Sequence, residues 1–220
     1  GYAVSLMSAA FLTSLGLHFF QYTFGFDFIQ TAITLGALFL MTILSQPFWI
    51  LISRKLDKKG ALILGISIAL VGIFYEGFIF VSYYYLNTVT TGSLMGYLIV
   101  GMLLTGFGVG AIFSMPNSMM GDLIAVEQHR TGINKTGTYN SFMTFAYKLS
   151  QSLSSFVAGI MLDIIGFDAS KQMSRTVFAS LGWLVLVCVF LVLAISIIFF
   201  IQYGISKKDV QEITVKLTES

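Results

Sequence analysis

Charge is what this sequence has least of. Only 10% of its 220 residues are Asp, Glu, Lys or Arg, against roughly 25% in a soluble domain. So few charges cannot cover a water-facing surface, and with 56% hydrophobic residues the chain must have lipid as its solvent. Cysteine is limited to Cys188, inside an apolar run. One cysteine excludes an intrachain disulfide and a Cys-based metal site, and its setting is that of an inert residue. Only two tryptophans occur, Trp49 and Trp183. No Ser/His/Asp triad, metal-ligand cluster or phosphate loop is legible, which argues against an enzyme and against a resident cofactor or metal. A net charge of +2 gives no ground for a nucleic-acid partner. The basic start, short apolar stretch and cleavage site of a signal peptide are also missing. The first apolar run begins at Gly1, so the N-terminus reads as a cut inside a longer protein or as a fragmentary gene product.

What is present is length and apolarity. A membrane-spanning helix needs about 20 mostly apolar residues. Six runs qualify, at about 1–22, 29–52, 61–84, 93–119, 137–162 and 176–203, followed by a tail at 204–220. Barrel strands are short and alternate polar with apolar residues, a pattern absent here. The expected fold is therefore an all-α, six-helix transmembrane unit at 1–203. Its cations are unevenly spread. Arg54, Lys55, Lys58 and Lys59 share the 52–60 loop, Arg130 and Lys135 lie near 120–136, and Lys207, Lys208 and Lys216 are in the tail. If the helices alternate, these nine fall on one side and only Lys171 and Arg175 on the other. The positive-inside rule makes the richer side cytoplasmic, with the C-terminus on it.

The helices differ in polarity. The sixth is almost wholly apolar and suits lipid contact. In the fifth, Ser141, Thr144, Lys148, Gln151, Ser152 and Ser155 recur at three- and four-residue steps, which is one helical face. Such a stripe faces a water cavity or other helices. The serines also read as packing positions, as in Ser155-xxx-Gly159. Lys148 lies ~16 Å into the helix, near the midplane of a ~30 Å core. Placing it there costs roughly 2.5–3.5 kcal/mol on insertion scales. It therefore needs a carboxylate, carbonyls or water, and either lines a cavity or forms a structural ion pair. The first helix carries a shorter polar face of Ser14, His18, Gln21 and Tyr22. His18 reads either as a proton carrier or as a donor to a neighbouring helix. Glu76, between Gly72 and Gly77, reads as a cation ligand, a cross-helix partner or a neutral acid. In the fourth helix, Gly106-xxx-Gly110 permits close backbone approach. Pro116 is expected to break that helix beside Asn117, as in transporter helices that open onto a cavity.

The stretch from Gly106 to Phe167, SMPNSMMGDLIAVEQHRTGINKTGTYNSFMTFAYKLSQSLSSFVAGIMLDIIGF from Ser114 onward, resembles the glycoside–pentoside–hexuronide:cation symporter family. This is the melibiose-permease-like branch of the major facilitator superfamily. The matching positions are Pro116, Asp122, Thr131, Gly132, Gly137, Tyr139, Lys148, Gly166 and Phe167. Ala125 stands where the family often has an acid, and Asn134 and Thr136 where it often has Arg and Glu. The resemblance implies twelve helices in two six-helix halves, this chain supplying the seventh to the twelfth. It also implies coupling to sodium or a proton, bound mainly by carboxylates of the N-terminal half. The expected partners are thus the bilayer, that half and a small solute, in a multi-pass protein of a bacterial inner membrane. The expected function is cation-coupled symport of a sugar or related solute by alternating access. Lys148, Thr144, Gln151, Asn117, Phe113, His18, Gln21 and Tyr22 are the cavity candidates, and Asp122, Glu127 and Arg130 the candidates for a cytoplasmic gate. Two other readings stand beside it: a lipid or lysolipid carrier, and a non-transporting sensor, assembly partner or inactive half-gene product.

Overall fold

A computed structural model describes residues 1–168 and 174–202; the predicted tail at 204–220 and Lys171 lie outside them. The described residues form six helices and no strand: α1 (Tyr2–His18), continued by a π-helical turn (Phe19–Thr23), α2 (Phe28–Leu56), α3 (Lys58–Tyr84), α4 (Thr91–Thr131), α5 (Thr136–Ile164) and α6 (Arg175–Ile201). Five of them are long and apolar enough to cross a membrane. The sixth, α5, has the length at 29 residues but carries the polar stripe.

Local chemistry sets the boundaries. Asp27 caps α2 in a reciprocal box, its carboxylate accepting from the Gln30 N–H and its own N–H donating to the Gln30 side chain. The expected 52–60 loop shrinks to Asp57, because α2 keeps Arg54 and Lys55 in its last turn and α3 begins at Lys58. Asp57 adopts φ 71°, a region costly for a side-chain-bearing residue. Its carboxylate offsets part of that cost by accepting from the Lys58 N–H at 2.7 Å.

Helix α4 departs most from expectation. It runs unbroken through Pro116 to Thr131, 41 residues rather than an end near 119. Proline removes one backbone donor, and neighbouring side chains bond the carbonyls around it. Ser114 Oγ donates to Gly110 O at 2.8 Å, and Asn117 Nδ2 to Phe113 O at 2.8 Å. The helix stops at Gly132, whose φ of 69° lets its N–H turn back to Gln128 O. At 1.5 Å per residue α4 is ~60 Å long, about twice a bilayer core, so its last turns stand outside it.

Hydrogen bonds fix the directions. Ser150 Oγ donates to Ala3 O and Ser154 Oγ to Met7 O, so α5 runs parallel to α1. The small residues of this seam are Ser150, Ser154 and Ala158, one step round from the Ser155-xxx-Gly159 pair, which is exposed. Lys58 meets Asp122 at one end of the α3/α4 pair, and Arg175 meets Tyr84 where α6 starts and α3 ends, so both pairs are antiparallel. Lys59 Nζ donates to Ile201 O at the Lys58 end. Among the described residues, Arg54, Lys55, Lys58, Lys59, Arg130 and Lys135 therefore gather toward one end and Arg175 stands at the other.

The pairing of helices has a partial internal symmetry. Exchanging α1 with α4, α2 with α5 and α3 with α6 turns the α1/α5 contact into α4/α2 and the α1/α6 contact into α4/α3. The α3/α6 and α1/α4 contacts map onto themselves. The α2/α3 contact has no α5/α6 counterpart of like extent, so the exchange relates only part of the pairing, as a three-helix repeat kept in part would.

Two seams bind α4 to its neighbours. Trp49 is fully buried and its indole N–H donates to Phe107 O at 2.7 Å, joining α2 to α4. Glycines on α4 allow backbone contact. A Cβ on Gly106 would stand 2.4 Å from Leu38 O, and one on Gly108 2.3 Å from Gly65 O. In α6, Val187, Phe190, Leu191 and Ile198 are exposed, in keeping with a lipid-facing helix.

Candidate solute-binding site

A cavity of about 280 Å³ opens between α1, α2, α4 and α5. Each helix contributes residues at helical spacing: Leu6, Ala9 and Thr13 from α1; Leu38, Thr42 and Gln46 from α2; Val109 and Phe113 from α4; Tyr147 and Gln151 from α5. The polar groups are few. Gln151 Nε2 donates to Tyr147 Oη at 3.1 Å, an i, i+4 pair that sets the amide against the cavity wall. Thr42 Oγ1 is already engaged by the Leu38 and Gly106 carbonyls. Gln46 and Thr13 complete the set. The wall residues on α2 and α5 lie 10 to 18 residues along helices of 29, which is mid-depth in the bundle.

The circumference of α5 explains what it does at this place. At 100° per residue, Met143, Ser150, Ser154 and Ala158 form the buried seam against α1. Tyr147 and Gln151 come next, at the cavity edge. Then follow Ser141, Thr144, Lys148, Ser152 and Ser155, all exposed, and after them Phe142, Phe145, Leu149, Leu153 and Phe156, exposed and apolar. The polar stripe thus lies between the packed seam and a lipid-type stripe, and nothing in the described chain covers it. Among the described residues no carboxylate pairs with Lys148.

Of the expected cavity residues, Phe113 and Gln151 line the cavity. Thr144 and Lys148 stand beside it on the open stripe. Asn117 spends its amide on the Phe113 carbonyl. His18 and Tyr22 lie elsewhere, at the π turn, where Phe167 meets their rings edge-on at 5.5 and 4.9 Å and Phe178 stacks on Tyr22 at 6.1 Å. His18 Nδ1 is buried there without a hydrogen-bond partner. Gln21 is half-buried in the same turn. The gate candidates engage different partners, and the Arg130 charge also acts on Glu127. Asp122 binds Lys58 at 2.6 Å, Glu127 binds Lys135 at 2.9 Å, and Arg130 is exposed. The Glu127 carboxylate holds the Lys135 ammonium above its ordinary value. Gln46, Tyr147 and Thr13 escaped sequence reasoning. Gln46 carried a signal, as an amide in the middle of an apolar span.

Helices crossing a bilayer around a mid-depth cleft with few polar groups define a polytopic membrane protein of the transporter type. The MFS/sugar transport protein family matches residues 1–207, and the chain belongs to that family. This is the melibiose-permease-like family that the Gly106–Phe167 stretch resembles. No curated protein matches the chain well enough to count as a relative.

Proposed function

We propose that this chain forms the C-terminal half of a cation-coupled symporter that moves a sugar or a related small solute by alternating access. The observation that carries the proposal is the uncovered polar stripe of α5 beside the cavity. A stripe holding Lys148 at mid-depth is too costly to face lipid, so a second six-helix half covers it and the solute is enclosed between the two. At about 280 Å³ the cavity is at the low end for a small-molecule site, which suits one wall of a site completed from the other side. Sodium or a proton is the coupling cation in this reading, bound mainly by carboxylates of the facing half in a bacterial inner membrane.

In this site, Gln46 and Gln151 hydrogen-bond solute hydroxyls, Tyr147 orients Gln151, and Phe113 supplies an apolar contact. The test is uptake of radiolabelled sugars by the full-length protein in sealed vesicles. Gln46→Leu and Gln151→Leu should each raise KM by about tenfold, the effect of losing one hydrogen bond of ~1.5 kcal/mol to a buried polar solute, with membrane abundance unchanged. Uptake indifferent to both substitutions would rule out this wall as the solute site.

A lipid or lysolipid carrier is the second reading. It is favoured by the apolar majority of the lining, Leu6, Leu12, Leu38, Ile43 and Val109 among them, and by the burial of Trp49 in a helix seam, where it cannot stack on a sugar. Competition of sugar uptake by a lysolipid separates the two.

A further inference from the structure

A second set of features lies on the opposite flank of the bundle, where α3 packs on α6. Helix α3 has 27 residues and α6 has 27. At 1.5 Å each, both are ~40 Å long and overrun a ~30 Å hydrocarbon core. Their meeting ends, Tyr84 and Arg175, therefore stand at headgroup level. The Arg175 guanidinium is held in place there. One nitrogen donates to Tyr84 O at 2.9 Å, and its carbon sits 4.9 Å from the centre of the Tyr84 ring. The Tyr84 hydroxyl returns a hydrogen bond to Arg175 O. Neither contact neutralises the cation, and both leave further N–H donors of the fork for an outside acceptor.

Around this cation is an open hollow of about 560 Å³ rimmed by Tyr85, Asn87, Thr176 and Ser180. Next to it, further along α3 and α6 toward mid-membrane, lies an apolar groove of about 470 Å³ lined by Phe74, Phe78, Leu186 and Phe190. Gly77 forms part of its floor. Trp183 borders both spaces. Its ring is fixed edge-on to Phe80 at 5.5 Å, and its N–H donates to Tyr85 Oη at 3.1 Å. A polar hollow built on a pinned arginine thus continues, past an immobilised tryptophan, into a trough of exposed aromatic and aliphatic side chains.

We propose that this flank binds one anionic phospholipid, with its phosphate on the Arg175 guanidinium and one acyl chain along the groove past Trp183. A planar guanidinium matches a phosphate bidentately. Charge complementarity selects a headgroup with net negative charge, and the continuous apolar groove selects a lipid over a soluble phosphate. The site is independent of the solute cavity and of the reading given to it, since it lies on other helices.

The experiment is native mass spectrometry of the full-length protein taken from nanodiscs holding equal amounts of phosphatidylglycerol and phosphatidylcholine. Wild type should keep one phosphatidylglycerol in preference to phosphatidylcholine. Arg175→Gln should reduce that retention about tenfold, while Arg175→Lys, which keeps charge but not the fork, should retain an intermediate amount. Gly77→Leu fills the groove without touching Arg175, and its added Cβ meets only Leu186 Cδ1 at 3.9 Å. It should lower retention as well, and added glycerol phosphate should not displace the lipid. Equal retention of the two lipids by wild type, or unchanged retention in both Arg175→Gln and Gly77→Leu, would overturn the proposal. Displacement by glycerol phosphate would assign the hollow to a soluble phosphate and overturn it too.

Discussion

Lys58 Nζ lies 2.6 Å from Asp122 Oδ2 and 3.1 Å from Ser118 O, so the first residue of α3 is tied to α4 beyond Pro116. This internal bond is what holds the expected gate residue Asp122. Both side chains are partly open, at 27% and 32% exposure, which puts the pair at ~0.2–1 kcal/mol. Asp122→Asn keeps a hydrogen-bonding shape and loses the charge. We expect a double-mutant cycle with Lys58→Met to give a coupling in that range, read from thermal unfolding in detergent. In the working transporter the same substitution should shift the balance of access states by no more than about fivefold, with intrinsic solute affinity kept. Spin-label distances across the Lys58 end check the second half, and a balance unmoved by Asp122→Asn removes Asp122 from gating.

The α4 glycines yield predictions of opposite sign on one helix. A Cβ at Gly108 would lie 2.3 Å from Gly65 O and 2.5 Å from Ala69 N, and backbone cannot step aside. Gly108→Ala should therefore cost ~1–3 kcal/mol by overpacking. At Gly96 an added Cβ meets nothing within 4 Å, and alanine is the better helix former by ~0.5–1 kcal/mol. Gly96→Ala should raise the melting temperature and Gly108→Ala lower it, in the same scanning-fluorimetry experiment.

Why these contacts were only half legible has a physical cause. Length and hydropathy reveal six spans because the bilayer imposes both. They do not reveal where a helix ends, since α4 continues for twelve residues past Met119 in a polar sequence that the bilayer no longer constrains. Spacing alone puts Gly106 and Gly110 on one face, and the structure sets Gly106 against α2 at Leu38 and Gly110 at Ser45. The stripe on α5 was visible as a period, yet the neighbouring Ser150 and Ser154 pack on α1 while Ser152 and Ser155 stay open. A one-residue step decides that, and only the partner helix makes the choice. For the same reason Gln151, on a periodic stripe, stood out, whereas Thr13 gave no such pattern and Gln46 showed only as a single amide in an apolar span.

Glu76 offers a test of polar matching inside the bundle. It is 1% exposed; Oε1 accepts from Thr105 Oγ1 at 3.1 Å, and Oε2 is buried without a partner. Gly72 and Gly101 give it room, since a Cβ on Gly101 would press on the Glu76 Cγ at 2.7 Å. Thr105→Val strips the one donor and leaves both carboxyl oxygens unmatched, which should cost ~1–3 kcal/mol. Adding Glu76→Met to that variant replaces both partners by apolar groups and should restore most of the loss. Thermal unfolding of the two single variants and the double variant measures this. A double variant that falls below Thr105→Val would mean that the carboxyl has a use beyond its threonine.

Lys148 is the residue on which the transport reading turns. It stands about 18 Å along α5 from Thr136, by the rise of a helix, exposed on the polar stripe one turn from Thr144 and Gln151. Its neighbours Tyr147 and Gln151 line the cavity, so Lys148 stands next to the cavity edge on the same helix. Too deep to reach water from a lipid-covered face, it would cost roughly 2.5–3.5 kcal/mol at the helix centre. A charge with no role at that position would be lost readily. We expect it to meet a carboxylate of the facing half, competing there with the coupling cation, or to bond the solute directly. Lys148→Met preserves length and removes the charge. In the full-length protein it should abolish coupled uptake while abundance and melting temperature stay near wild type, because the described residues give Lys148 no ion-pair partner to lose. Wild-type uptake by Lys148→Met would reduce the residue to a tolerated occupant of a water-filled face. A folding defect would instead mark a structural ion pair across the two halves, and Arg at the same position should then rescue folding without restoring transport.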